Sequence, residues 1–311
     1  MNLREIHARM KAVAAVAGLP LQAGSWRGTS GSVLGGGTGS SLDFQDHRHY
    51  VPGDDPRHIN WQAYARTGHY TLKLYREEVT PRIDLVFDVS GSMFLNEPKA
   101  SRVWELVYFC LESGLRIGGH LKLFLLGRSA AELPEELPVD QAVNDRWPAT
   151  LGLSSDDRSK VSRRLPEATP PLPLLADQLD RVPFRAGSLR VLLSDLLDAS
   201  APGRAAAALT AAGSRGLVLA PFSRQESSPD WQGNIEFEDA ERLTRRQQRV
   251  DGDLLGRYRQ AYQRHFAGWR EACGRRGVGF ARVSDAGDFL AALQGEAVPA
   301  GTIVFNGKSK R

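Results

Sequence analysis

The sequence predicts an α/β fold: a mostly parallel central sheet with helices on both faces. Three observations lead there. Short apolar runs of strand length recur at Ile83–Phe87, Leu121–Leu126, Leu189–Ser194, Leu217–Ala220 and Val278–Val283. Nearly continuous apolar runs of this kind mark strands buried on both faces. Between them lie segments with three-to-four apolar spacing, and alternating strands and helices imply parallel neighbours joined by crossovers. Finally, 311 residues with 41% hydrophobic content are enough to build a sizeable folded core.

Taken in order, the chain opens with Leu3, Ile6, Met10, Val13 and Val16 at helical spacing. That pattern predicts an amphipathic docking helix in preference to a signal peptide. The Gly- and Ser-rich stretch 25–41 reads as a loop. It ends without the Lys-Ser or Lys-Thr that a phosphate-binding loop requires. Pro52 to Pro56 is a turn cluster, Ile59 to Arg66 a short helix, and Thr71 to Tyr75 an alternating, half-buried strand. From residue 83 the α/β alternation begins. Helices are expected over 98–117, 156–165, 172–182, 203–213, 253–275 and 286–294. The long 253–275 helix turns Tyr258, Tyr262, Phe266, Trp269 and Cys273 inward. These readings divide the chain into a helix, loop and arm over 1–80, an α/β domain over 81–295, and a flexible tail over 296–311.

Composition narrows the function. The net charge of +4, from 40 basic and 36 acidic residues, is too balanced to argue for nucleic-acid binding. The two cysteines, Cys110 and Cys273, sit in apolar helical patterns and read as buried free thiols in a reducing compartment. No apolar run approaches the length of a membrane span.

The chemistry concentrates at DLVFDVSGSM, residues 84–93. Asp88, Ser90 and Ser92 alternate just past a predicted strand, and Asp195 follows another. In open α/β sheets, ligands sit outside the carboxyl ends of the strands. Two aspartates and several hydroxyls, with no nearby His or Cys, form a hard oxygen set suited to Mg²⁺, or to Mn²⁺ or Ca²⁺. A serine hydrolase would need a nucleophile elbow, but Ser90 and Ser92 are flanked by Val89, Gly91 and Met93. An aspartyl-phosphate phosphatase would carry a second Asp two residues after Asp88, where this chain has Ser90. A capped turn without metal is the simplest reading of the stretch alone.

The DVSGSM stretch resembles the metal-ion-dependent adhesion site of von Willebrand factor type A domains, whose pattern is Asp-x-Ser-x-Ser with a distant Thr and a distant Asp. Asp88, Ser90 and Ser92 match the first element, and Asp195 matches the distant Asp at the end of the fourth sheet strand. Thr169 is matched to the distant Thr, with Thr150 as the other candidate. The upstream residues Asp43-Phe44, Arg48, Tyr50, Pro52 to Trp61, Ala65-Arg66 and Glu77 or Glu78 resemble the signature of a bacterial family of domains of unknown function, number 58. That resemblance implies a Rossmann-like von Willebrand type A fold preceded by a family-specific arm. It also implies a non-enzymatic adaptor or co-chaperone working with a MoxR-type AAA+ ATPase, and with other von Willebrand type A proteins. Many members carry two N-terminal membrane helices; this chain resembles the shorter, cytoplasmic members. A phosphatase or other hydrolase using Asp88, and a metal-free interaction module, are the alternatives.

In the arm, Arg48, Arg57 and Arg66 lie among Asp43, Asp46, Asp54 and Asp55. Arg forks pair carboxylates bidentately, so these residues are expected to pin the arm to the α/β body. Docking on a partner is the other reading, with Trp61 and Tyr64 as anchors. His47, His49 and His58 match no zinc spacing and read as packed or solvated.

Overall fold

The computed structural model describes residues 2–21, 29–38, 44–127, 134–143, 147, 174–240 and 244–305, with backbone alone at 29–38, 44–46 and 74–79. The expected helix at 156–165 lies outside the described residues. In chain order the first elements are α1 (Leu3–Val16), β1 (Ala17–Gly18), β2 (Thr29–Thr38), β3 (Phe44–His49), α2 (Trp61–Thr67) and β4 (Thr71–Thr80). The body follows with β5 (Arg82–Asp88), α3 (Glu97–Arg116), β6 (His120–Leu126), β7 (Glu135–Leu137), α4 (Val139–Ala142), α5 (Leu175–Leu179), β8 (Leu189–Leu193), α6 (Pro202–Thr210), β9 (Arg215–Phe222) and α7 (Arg224–Ser227). A hairpin of β10 (Gly233–Glu238) and β11 (Arg245–Val250) precedes α8 (Gly252–Arg275), β12 (Gly279–Ser284), α9 (Phe289–Gly295) and β13 (Val304–Phe305).

The central sheet has six strands in the order β12-β9-β8-β5-β6-β7. All neighbours are parallel except β7, which runs antiparallel to β6 at the edge. Counted within the sheet, this is the doubly wound order 3-2-1-4-5-6. The chain winds outward from β5 in one direction through β6 and in the other through β8. The crevice between the carboxyl ends of β5 and β8 is therefore the topological switch point. The predicted α/β class and the mostly parallel sheet are both present.

The strand pleat explains the continuous apolar runs. Ile83, Leu85 and Phe87 pack into one core layer with α1, α3 and α9, while Val86 packs into the other with α5, α6 and α8. Helix α3 starts at Asn96, whose side chain accepts from Lys99 N at 2.8 Å, and carries Pro98 in its first turn. It is buried almost all round, because the sheet covers one side and α1 the other. Ile6, Met10 and Ala14 of α1 form the buried stripe, and His7 stacks on Tyr108 while bonding Glu112 at 2.7 Å. The docking helix is thus as expected, although Val16 is exposed and Ala14 takes its place.

Three expectations are corrected. Most of the predicted Gly/Ser loop is strand β2, paired antiparallel with β4. Its register shifts between Ser30 and Val33 and between Leu34 and Thr38, which span Gly31 and Gly35 to Gly37. Bulges of this kind let glycines sit inside a strand. The tail expected from 296 is packed as far as 305. Ala297, Thr302 and Ile303 are buried, and β13 pairs with β1. Last, the described arginine pairs of the arm are internal to it. Arg48 forks onto Asp54 at 2.8 and 2.5 Å, and Arg57 onto Asp55 two residues away. These partners stand only six and two residues apart in sequence. His47 packs against Asn60 at 2.8 Å.

Candidate metal centre

Strand β5 carries Asp88 to its carboxyl end, and the backbone then turns through Ser90 into a short 3₁₀ turn over Gly91–Phe94. Asp88 drives that turn itself: its Oδ1 accepts from Ser90 N at 2.9 Å. Ser90 Oγ and Ser92 Oγ lie 3.2 Å apart. Across the crevice, Ser194 Oγ donates to Asp88 Oδ2 at 2.7 Å, which ties β5 to the end of β8. Asp195 N donates to Met93 Sδ at 3.1 Å, closing the same gap a second time. Asp88, Ser90, Ser92 and Asp195 are thereby gathered around one switch point. Thr169 and Thr150, the candidates for the distant threonine, lie outside the described residues.

The backbone after Asp195 is unusual. Leu196 is buried and adopts φ 62°, in the left-handed region that a branched residue rarely occupies. It is held there from both sides: Leu196 N donates to Ser194 Oγ at 3.1 Å, and its carbonyl accepts from His265 Nε2 at 2.7 Å. Gly127, just past β6, has φ 86° and lies against the site. A Cβ there would meet Ser90 N at 3.1 Å and Asp88 Oδ1 at 3.2 Å, so only glycine leaves that space open.

Among the described residues, the site is short of positive charge. Burial, and then the charge of Asp195, push the Asp88 carboxyl up to about 7, against the hydrogen bonds from Ser194 and Ser90. Lys99 is fully buried, with Nζ 2.8 Å from Asp195 Oδ2 and 2.5 Å from Glu226 Oε1. Burial lowers the Lys99 pKa, but Asp195 and Glu226 outweigh it and the net shift is upward. Glu226 is raised by its own burial, with Lys99 opposing. Asp88, Asp195 and Glu226 against Lys99 leave two negative charges when all are ionised, the charge that one divalent cation neutralises.

The donor set fits such a cation in kind: carboxylate and hydroxyl oxygens suit Mg²⁺, Mn²⁺ or Ca²⁺. No group of three or more His, Cys, Asp and Glu among the described residues is arranged to hold a metal. A cation here would therefore depend on the Ser90 and Ser92 hydroxyls as well as on Asp88 and Asp195.

Ser194, Lys99, Glu226 and Gly127 were not singled out from the sequence. Ser194 stands beside Asp195 and was legible only as a strand end. Lys99 and Glu226 lie in helical first turns, where charged residues are usually solvated. Nothing in the spacing tells that they meet. Cys110 and Cys273 are free and buried, as expected, and burial raises both thiols, Cys273 to about 11.

Among curated proteins none matches this sequence. One solved structure is similar: a conserved hypothetical protein BatB from Bacteroides thetaiotaomicron, at 11% identity over 71% of this chain and 98% of that one, with a TM-score of 0.37. A likeness at that level carries no argument about fold or function. The family comparison does: the model for DUF58, a protein of unknown function, matches residues 46–271. That is more than half of the chain, and this protein belongs to the DUF58 family.

Proposed function

We propose that this chain is a non-enzymatic, metal-dependent protein-binding adaptor, built as a von Willebrand type A domain with a family-specific arm. One observation carries the reading. Asp88 and Asp195 are buried at the carboxyl ends of adjacent parallel strands, beside Ser90 and Ser92, with less positive charge than their carboxylates require. Ser90 and Ser92 would ligate Mg²⁺ directly, and Asp88 and Asp195 directly or through water. Neutral hydroxyl ligands leave the cation with residual positive charge, which favours an acidic residue from a partner. The partner class, a MoxR-type AAA+ ATPase, comes from the family resemblance alone.

Three exposed leucines support a binding role. Leu95 follows Ser92, Leu197 follows Asp195, and Leu174 precedes α5, whose first N–H is held by Asp198 at 2.7 Å. Apolar side chains on loops around a polar centre suit a protein partner better than a small polar substrate.

Affinity capture with the tagged full chain tests the reading. A MoxR-type ATPase should be recovered in Mg²⁺ and lost in EDTA or in Asp88→Asn. Recovery that ignores both would overturn the metal dependence. Phosphatase turnover abolished by Asp88→Asn would replace the adaptor with a hydrolase.

A further inference from the structure

Lys99 is a fully buried charge, and it sits in the first turn of α3 with neither of its acceptors on that helix. Both acceptors lie just past the carboxyl ends of other strands. Asp195 follows β8, and Glu226 belongs to α7 after β9. The anchorage of the group is complete. Lys99 N is fixed by the Asn96 cap, and Asn96 Nδ2 donates to Ser223 Oγ at 3.2 Å. Glu226 Oε2 accepts from Ser223 N at 2.7 Å in a capping box, and Tyr258 donates its hydroxyl to the Glu226 carbonyl at 2.8 Å.

Burying an ammonium this deeply is unfavourable without close partners, and apolar residues usually serve packing as well or better. Its use here, against a candidate ligand, calls for a reason beyond packing. Asp195 supplies one. Its Oδ2 is held by Lys99, whereas among the described residues its Oδ1 accepts only from Leu197 N, at 3.2 Å.

We propose that Lys99, steadied by Glu226, is a positioning residue of the metal centre: it fixes Asp195 through Oδ2 and leaves Oδ1 as the oxygen offered to a divalent cation. The proposal rests on the metal-binding reading above. It gives Glu226 a role as well, because the same carboxylate that braces Lys99 also cancels its charge. The brace thus orients Asp195 without adding net positive charge to the site.

That cancellation supplies the test. Lys99→Met alone leaves two buried carboxylates without a counter-ion and is expected to fold poorly. The double variant Lys99→Met/Glu226→Gln removes one positive and one negative charge together. It keeps a side-chain acceptor for the Ser223 N–H cap, and it leaves the net charge of the site as it was. Mn²⁺ is titrated into the full chain and read by the loss of the free-ion electron paramagnetic resonance signal, with thermal melting followed in parallel. The wild type should bind one Mn²⁺, Asp88→Asn should not, and the folded double variant should bind at least tenfold more weakly, with an altered bound-ion spectrum. A double variant that binds with wild-type affinity and spectrum, whatever its melting temperature, would reduce Lys99 to a packing role while the metal centre stands. Tighter binding would make Lys99 a competitor of the cation and overturn the proposal. A wild type that binds no Mn²⁺ beyond Asp88→Asn would remove the metal reading itself, and the brace with it.

Discussion

Two buried aspartates stand four residues apart on β5, on the same face of the sheet, and the protein treats them in opposite ways. Asp84, near the amino end, is closed off. Its oxygens accept from Arg185 N at 3.0 Å, Arg185 Nε at 2.7 Å and Ser188 Oγ at 2.7 Å, and the same guanidinium caps the carbonyls of Ile83 and His120. Asp88, at the carboxyl end, has only neutral partners among the described residues, Ser90 and Ser194, and faces the charge of Asp195. Asp84 is matched by a cation from the same chain. Asp88, at the topological switch point, has no such match among the described residues, which is the difference that the proposed metal site rests on.

The largest expected effect lies at the closed end. Arg185→Met would leave Asp84 buried with Ser188 and one backbone N–H for partners. Removing one member of a buried ion pair typically destabilises by about 3–5 kcal/mol. A loss of roughly that size in chemical denaturation, with Mn²⁺ binding unchanged in the folded protein, would keep the two ends distinct. Loss of Mn²⁺ binding as well would merge them.

Next comes the pH dependence of the metal-free protein, which Asp88 should dominate. Its carboxyl titrates near 3.8 when unfolded and is pushed up to about 7 in the fold, by burial first and the Asp195 charge second. Below about 3.8 both states are protonated and the folded state suffers no penalty. Between the two values the unfolded chain releases its proton and the folded chain retains it. Stability therefore falls as pH rises across that window, by up to about 1.4 kcal/mol per unit of difference, and levels off above 7. Urea denaturation at pH 4.5, 6 and 7.5 in EDTA measures this. A stability that rises over the same range would mean that Asp88 has a cationic partner after all.

Asp88→Asn should act in the opposite direction from Arg185→Met. The amide can accept from Ser90 N and donate to Ser194 Oγ, and it removes the repulsion with Asp195. The metal-free variant should be as stable as the wild type or more so, by about 1 kcal/mol, with the pH slope abolished and Mn²⁺ binding lost. A variant destabilised as much as Arg185→Met would make Asp88 a structural residue.

The same contrast shows what the sequence could carry. The body was legible because strand burial leaves a local signature: Ile83 to Phe87 and Leu189 to Leu193 are buried on both faces, and Asp84 and Arg190 are the single charges that interrupt their apolar runs. Asp88, Ser90 and Ser92 were legible because one tight turn brings neighbours in sequence together. The meeting of Lys99 with Asp195 and Glu226 spans 96 and 127 residues and has no local trace. Strand β2 was missed because glycines read as a loop, and only its pairing with β4 overrides that preference. The packing of 296–305 was hidden for the same reason, since Ala297 and Ile303 find their cover from distant parts of the chain.

The arm offers the smallest effect and the limiting case of the comparison. Arg57 and Asp55 form a close pair that holds the Asp55 carboxyl down to about 2, through the side-chain bond first and the Arg57 backbone N–H second. The sign is opposite to that of Asp88: any stabilisation is present above about 3.8 and is lost as pH falls toward 2. Unlike Arg185, Arg57 is solvent-exposed on nearly all of its side chain, so water and salt already satisfy both charges. Arg57→Ala should leave the melting temperature and Mn²⁺ binding unchanged at pH 7. If it instead weakens capture of the ATPase proposed as partner, the arm's charges serve docking rather than the fold. If it lowers the melting temperature as Arg185→Met does, burial would no longer separate structural pairs from surface ones in this protein.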